Sequence, residues 1–278
     1  MRDVAVVYLA RAAHGPDPVR EFLASYQQYP AGLEHDLVVM YKGFRPGPVR
    51  SEVEALLKPL ESQSLEMRDF GFDLGAYFQA GRTWAHPYFC FLNSFSRLLA
   101  RDWLLKLANA LGQSGIGAAG ATGSWESFYS NIVNEKAIGL PRSWVQQLAR
   151  PLRLAWSRPR FDPFPNPSLR TNAFIMARTV WGRLCPWPMR TKMDALQFES
   201  GRRSLTRQIQ AQGLQVLVVD REGRAHPPEA WSESRTFRQG RQPGLLVADR
   251  RTDHYAQADP AMKRCLSQLA WGDRAQPE

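Results

Sequence analysis

Five short apolar runs, each parted from the next by a turn and a helix-length stretch, constrain this chain more than any other feature. They fall at residues 4–10 (VAVVYLA), 36–41 (DLVVMY), 65–68 (LEMR), 88–92 (YFCFL) and 116–121 (IGAAGA). Strands alternating with helices at this cadence imply βαβ units and a mostly parallel sheet. The first run has no polar alternation, as expected of a strand covered on both faces. Run 88–92 stops abruptly at Asn93-Ser94-Phe95-Ser96. Small polar residues are thereby placed at the carboxyl edge of a sheet, where open α/β sheets bind ligands.

The intervening segments read as helices. Residues 18–29 carry Val19, Phe22, Leu23 and Tyr26 at helical spacing, with Asp17 as cap. Residues 51–60 open on Ser51 and Glu54, the pattern of a capping box. Residues 74–84 and 102–111 follow, the latter with Asp102 as cap. Between 123 and 172 the pattern loosens into a Pro-, Arg- and Trp-rich insertion with one helix candidate, 142–154. Beyond it lie a strand at 171–177, a loop at 181–190, a helix at 196–212 closed by Gly213, and a last central strand at 214–219. A short strand at 245–247 and a helix at 262–271 complete the reading. The expected organisation is one α/β domain over 1–220, with its insertion at about 123–170, and a C-terminal extension over 221–278.

With 278 residues, 44% of them hydrophobic, the chain can bury a sizeable core. Its formal charge of +10 calls for an anionic partner, nucleotide phosphates or an acidic membrane surface. The basic residues gather only loosely, at 150–160, 202–203 and 235–251, so nucleic acid is not the expected partner. Cys90, Cys185 and Cys265 are too scattered for a disulfide framework or metal knuckle, and a reducing cytoplasm is the expected setting. The N-terminus enters a strand directly instead of a signal peptide, and no apolar run approaches a membrane span.

Walker, nucleophile-elbow, H-E-x-x-H and Rossmann signatures are missing. The glycines of residues 115–120 have Rossmann spacing but precede or form a strand. The order of FGFDLGAYFQAG, FLNSFSR, GATGSWES, TNAFIMAR and FESGRRSLTRQIQAQG, however, resembles glycosyltransferases of the GT-A fold. The nearest likeness is the rhamnan-synthesis F type of family, over roughly residues 4–220. That resemblance implies a nucleotide-diphosphate sugar bound across the carboxyl ends of the first strands and a glycan or lipid-linked acceptor. Leu9, Ala10 and Arg11 would lie against the nucleotide, with Lys42 at the end of the second strand. The turn containing Asp69, Gly71 and Asp73 would reach base or ribose, with Asp73 also a candidate helix cap.

Most GT-A enzymes end the fourth strand with D-x-D, which holds Mg or Mn on the donor diphosphate. Here Asn93 and Ser94 stand instead, and both are neutral. A divalent cation is therefore not assigned, and arginines are the expected substitute: Arg235, Arg238 and Arg241, followed by Arg250 and Arg251. For the general base of an inverting transfer, Glu199 and then Asp194 occupy the place the resemblance implies, near a helix start. Trp125 and Glu126 are candidate acceptor contacts, Trp125 being equally suited to pinning the insertion. Two alternatives remain open: a nucleotidyltransferase using residues 11–15 (RAAHG), and an inactive glycan- or membrane-binding module.

Overall fold

The computed structural model describes residues 2–135 and 143–276. At its centre lies an eight-stranded, mostly parallel sheet flanked by helices. Strands β1 (Val4–Arg11), β2 (Asp36–Lys42), β3 (Ser62–Met67) and β4 (Tyr88–Leu92) form one half. From edge to edge the order is Ala225–His226, Gln215–Val219, Ile116–Gly120, Ala173–Ala177, β4, β1, β2, β3. The β1–β2, β2–β3, β1–β4 and Ile116–Gly120/Gln215–Val219 pairs are parallel. Ala173–Ala177 runs antiparallel to both of its neighbours, β4 and Ile116–Gly120.

Burial explains why β1 lacks alternation. Ala5, Val7 and Leu9 enter the core on one face of the sheet, and Val4, Val6, Tyr8 and Ala10 enter the core on the other. Both faces are covered by helices, so polar residues have no place along the strand. Connections run β1 to α1 (Asp17–Gln28) to β2, then α2 (Pro48–Leu57) to β3, then α3 (Phe72–Thr83) to β4.

Several helix ends differ from expectation. Pro16, not Asp17, precedes α1, and no side chain caps it. Helix α2 begins at Pro48 behind Gly47, because proline at the first position needs no N–H partner. Ser51 and Glu54 thus fall inside the helix, and Glu54 accepts from Arg50 instead. Asp102 does precede Trp103–Leu111, but in the left-handed region (φ 59°) and without a capping hydrogen bond. The 142–154 candidate is two helices, Trp144–Leu148 and Arg150–Ser157, and residue 142 lies outside the described residues. The 196–212 candidate is also two, Lys192–Ser200 and Leu205–Gln210. They part at Gly201, where a Cβ would lie 2.6 Å from the Gln197 carbonyl oxygen.

Residues beyond 220 pack into the same body. Val247–Ala248 pairs with Arg97–Leu98, the Trp271 indole donates to the Phe237 carbonyl at 2.6 Å, and Ala225–His226 extends the sheet. Among the described residues, no helix is long and apolar enough to cross a membrane.

The antiparallel strand is held by aromatic packing. Phe174 lies 5.1 Å from Phe91, 6.0 Å from Tyr77 and 6.2 Å from Trp181 between ring centres. Phe174→Ala is expected to cost about 3–5 kcal/mol through lost burial and a residual cavity, measured by denaturant unfolding.

Candidate active site

The sheet order reverses between β1 and β4, which is where an open α/β sheet forms a crevice at its carboxyl edge. A cleft of about 510 Å³ lies there. Arg11 and His14 reach it from the end of β1, Asn93 and Phe95 from the end of β4. Because Ala173–Ala177 is antiparallel, its preceding residues Arg170, Thr171 and Asn172 arrive at this same edge. Asp73 comes from α3, Lys192 and Glu199 from Lys192–Ser200, and Asp249, Arg250 and Arg251 from the C-terminal segment.

A second cleft of about 660 Å³ shares Arg11 as its wall. It is lined by Asp69, Phe70, Gly71, Phe78, Trp187 and Met189 among others, and is the more apolar of the two. Arg11 grips Asp69 with two hydrogen bonds, 2.9 and 3.0 Å, and holds its carboxyl below the usual range. Behind them Lys42 is fully buried; it donates to the Phe72 carbonyl and lies 3.8 Å from Asp69. Burial, opposed by Asp73 and Asp69, holds the Lys42 ammonium below its ordinary value. Gly43 permits this approach: a Cβ there would meet that of Asp69 at 2.7 Å. Gly71, left-handed at φ 74°, turns the chain into α3.

That turn removes Asp73 from capping. Gly71 takes the cap position without a side-chain bond, and the Asp73 carboxyl is free to line the main cleft. Burial pushes its pKa up to about 6, with the charges of Glu199 and Asp69 adding to the rise and Lys42 and Arg11 opposing it. Glu199 accepts from the Thr171 hydroxyl at 3.1 Å. It sits in the last turn of Lys192–Ser200, not near a helix start as expected. Carbonyl ends disfavour an anion there, so the dipole does not explain its placement.

Other expected residues are elsewhere. Leu9 and Ala10 are fully buried in the core on opposite faces of β1. Asn93 lines the cleft, but its side-chain oxygen accepts from the Phe95 amide and the Ser96 hydroxyl. Ser94 points into the interior, its hydroxyl oxygen buried and unpartnered. Asp194 completes a capping box with Thr191 and lines a different pocket beside Trp156 and Arg203. Trp125 is buried away from the main cleft; its indole donates to the Pro228 carbonyl at 2.7 Å and packs edge-on to Trp271. It therefore pins the C-terminal segment to the core.

The arginine expectation is corrected in the same way. Arg238 is buried against Glu126 at 3.0 Å and stacks on Phe237, while Arg235 and Arg241 lie at the surface outside the cleft. Burial raises the Glu126 pKa, yet Arg238, Arg251 and Asn131 outweigh it and hold the carboxyl below its ordinary value. Glu126 does line the cleft, with its charge already matched by Arg238.

Arg170 is a functional candidate not singled out from sequence, and His14 entered only within the 11–15 loop of the nucleotidyltransferase alternative. Arg170 pairs with Asp249 at 2.7 Å and stacks on Phe237. Burial, reinforced by Arg11 and Arg250, holds His14 below the ordinary imidazole value. Among the described residues, His14 Nδ1, Arg170 Nε and Asn172 Nδ2 are buried without a hydrogen-bond partner. Such atoms are rare in folded proteins, and each calls for an explanation. Only the position of Arg170 directly before the 171–177 run, and of Asn172 at its start, could have flagged those two.

The donor set does not fit a hard divalent cation. Among the described residues no group of three or more His, Cys, Asp or Glu side chains converges in a metal-holding arrangement. Two cleft carboxylates, Glu126 and Asp249, are ion-paired with arginines.

By sequence, no family model and no curated protein matches this chain. Among the solved structures that it resembles in fold are two glycosyltransferases. One is the mannosyltransferase PcManGT from Pyrobaculum calidifontis in complex with GDP-Man and Mn2+. The two share 16% identity over 96% of this chain and 70% of that one, with a TM-score of 0.49. Another is glucosyl-3-phosphoglycerate synthase from Mycobacterium tuberculosis with Mn2+, UDP and glucosyl-3-phosphoglycerate, at 16% identity and a TM-score of 0.39. That match covers 67% of this chain, which spans 61% of the synthase.

The Asp73 pKa has a consequence for stability. Its folded value of about 6 exceeds the ordinary 3.8, so the native state holds the extra proton between them. Stability from this group falls as pH rises through that window, by on the order of 3 kcal/mol at pH 7. Asp73→Asn is expected to flatten the unfolding free energy over this window, measured by urea titration at successive pH values.

Proposed function

We propose that this protein is a glycosyltransferase that moves a sugar from a nucleotide-diphosphate donor to a glycan or lipid-linked acceptor, with inversion at the anomeric carbon. The observation that carries the reading is the make-up of the main cleft, which the carboxylates Glu199 and Asp73 line together with the exposed cations Arg250, Arg251 and Lys192. The motif order resembling rhamnan-synthesis F-type enzymes supports the same conclusion.

In this reading the nucleoside occupies the cleft of Asp69, Phe70 and Trp187, where aromatic faces take a base and a carboxylate accepts from ribose hydroxyls. The diphosphate crosses Arg11 into the main cleft. Glu199 takes the proton of the acceptor hydroxyl as its oxygen bonds to the anomeric carbon. The bond from that carbon to the diphosphate oxygen breaks at the same time, and nucleoside diphosphate leaves as an anion. Arg250, Arg251 and Lys192 stabilise the charge on the leaving phosphates through charge-assisted hydrogen bonds. Residues 221–278 then complete the transferase unit, since Asp249 to Arg251 belong to them.

Glu199→Gln is expected to lower turnover by about 10²–10⁴, with donor affinity by calorimetry kept within about twofold, since the residue acts on the acceptor proton. Arg250→Ala combined with Arg251→Ala is expected to weaken donor binding by about tenfold or more. Release of nucleoside diphosphate from a panel of nucleotide sugars is the readout. Unchanged turnover in Glu199→Gln would remove that residue from the mechanism, and pyrophosphate as product would overturn the reading.

A further inference from the structure

Within the insertion lies an apolar face that stands exposed among the described residues. Trp144, Val145, Leu148 and Leu152 are 73%, 53%, 73% and 75% exposed. Trp144, Leu148 and Leu152 recur every four residues and so share one helical stripe. Trp144–Leu148 and Arg150–Ser157 are nearly continuous, because Ala149 donates to Val145 at 3.0 Å and accepts from Arg153 at 2.9 Å.

The charge around this stripe has one sign. Residues 143–160 contain four arginines and no acidic residue. Arg150 and Arg153 hold the buried Glu135 at 3.4 and 3.1 Å, Arg160 stacks on Trp156, and Arg158 is exposed. Four arginines against one buried glutamate leave the face cationic. A second copy of this chain would set arginine against arginine, whereas an anionic bilayer matches both the charge and the apolar residues. Tryptophan and leucine enter the boundary between headgroup and acyl chain while arginines hold lipid phosphates.

We propose that Trp144, Val145, Leu148 and Leu152, flanked by these arginines, seat the protein on an anionic phospholipid surface. The seat adjoins the cleft. Arg150 donates to the Ile132 and Val133 carbonyls, and that same helix, Phe128–Val133, carries the cleft-lining Phe128 and Asn131. A lipid-linked acceptor would thus present its headgroup beside the site, although the membrane contact does not depend on the transfer chemistry.

The test is co-sedimentation of the full chain with vesicles of phosphatidylglycerol and phosphatidylcholine, against vesicles of phosphatidylcholine alone. Expected is salt-sensitive binding to the anionic vesicles, weakened about tenfold or more by Trp144→Ser with Leu148→Gln and Leu152→Gln. Arg158→Glu, an exposed substitution remote from the core, is expected to weaken binding to anionic vesicles selectively. Glu199→Gln should bind vesicles like the parent, which separates this contact from the proposed catalysis. No binding, or binding undiminished in both surface variants, overturns the proposal. Self-association that the triple variant abolishes, without vesicle binding, overturns it in favour of a protein partner.

Discussion

The structure depends on one strand running the wrong way. Ala173–Ala177 pairs antiparallel with β4 on one side and Ile116–Gly120 on the other, joining the parallel β1–β4 half to the parallel pair Ile116–Gly120 and Gln215–Val219. Its direction brings the start of the strand, not its end, to the edge where β1 and β4 finish. Arg170, Thr171 and Asn172 therefore stand opposite Arg11 and Asn93. A parallel strand in that position would have carried them to the far side of the sheet.

Charge then organises the edge in two layers. In the inner layer, charges withdrawn from solvent are matched: Arg170 with Asp249 and Arg238 with Glu126, while the more exposed Arg11–Asp69 pair parts the two clefts. Removing one member of such a pair exposes the other to an unpaid desolvation cost, so these residues fix the walls. Outside them, Asp73 and Glu199 stand where burial and their mutual repulsion oppose ionisation of Asp73. Asp73, held against desolvation, and Glu199, held at the carbonyl end of its helix, are the carboxylates whose placement stability does not explain.

The fold was legible because its signals are local. Apolar runs without alternation identify doubly covered strands, and the helices between them are periodic, so β1 to β4 and Gln215–Val219 fall where the sequence puts them within a residue or a few. Helix ends were less so, because proline and glycine at Pro48 and Gly71 displaced the polar residues expected to cap. The candidate site was legible in part. Arg11, Asp73, Asn93, Glu126 and Glu199 do converge on one cleft, whereas Ser94 turns inward and Asp194 caps its own helix. Asn93 and Ser94 part at a turn closed by the Ser96 amide on the Asn93 carbonyl, and no pattern in the sequence says which of the two faces the cleft.

The sequence by itself determined the sheet, its two-sided core and the edge at which small polar residues gather, since each follows from periodicity and turn chemistry within a few residues. Only the tertiary structure decided which arginines meet the cleft. Arg238 and Arg250 are near neighbours in the chain, yet one is spent on a buried glutamate and the other reaches solvent at the cleft mouth. That difference rests on a contact between Arg238 and Glu126 across more than a hundred residues. Pairings of that range depend on how the elements pack, and local sequence does not encode them.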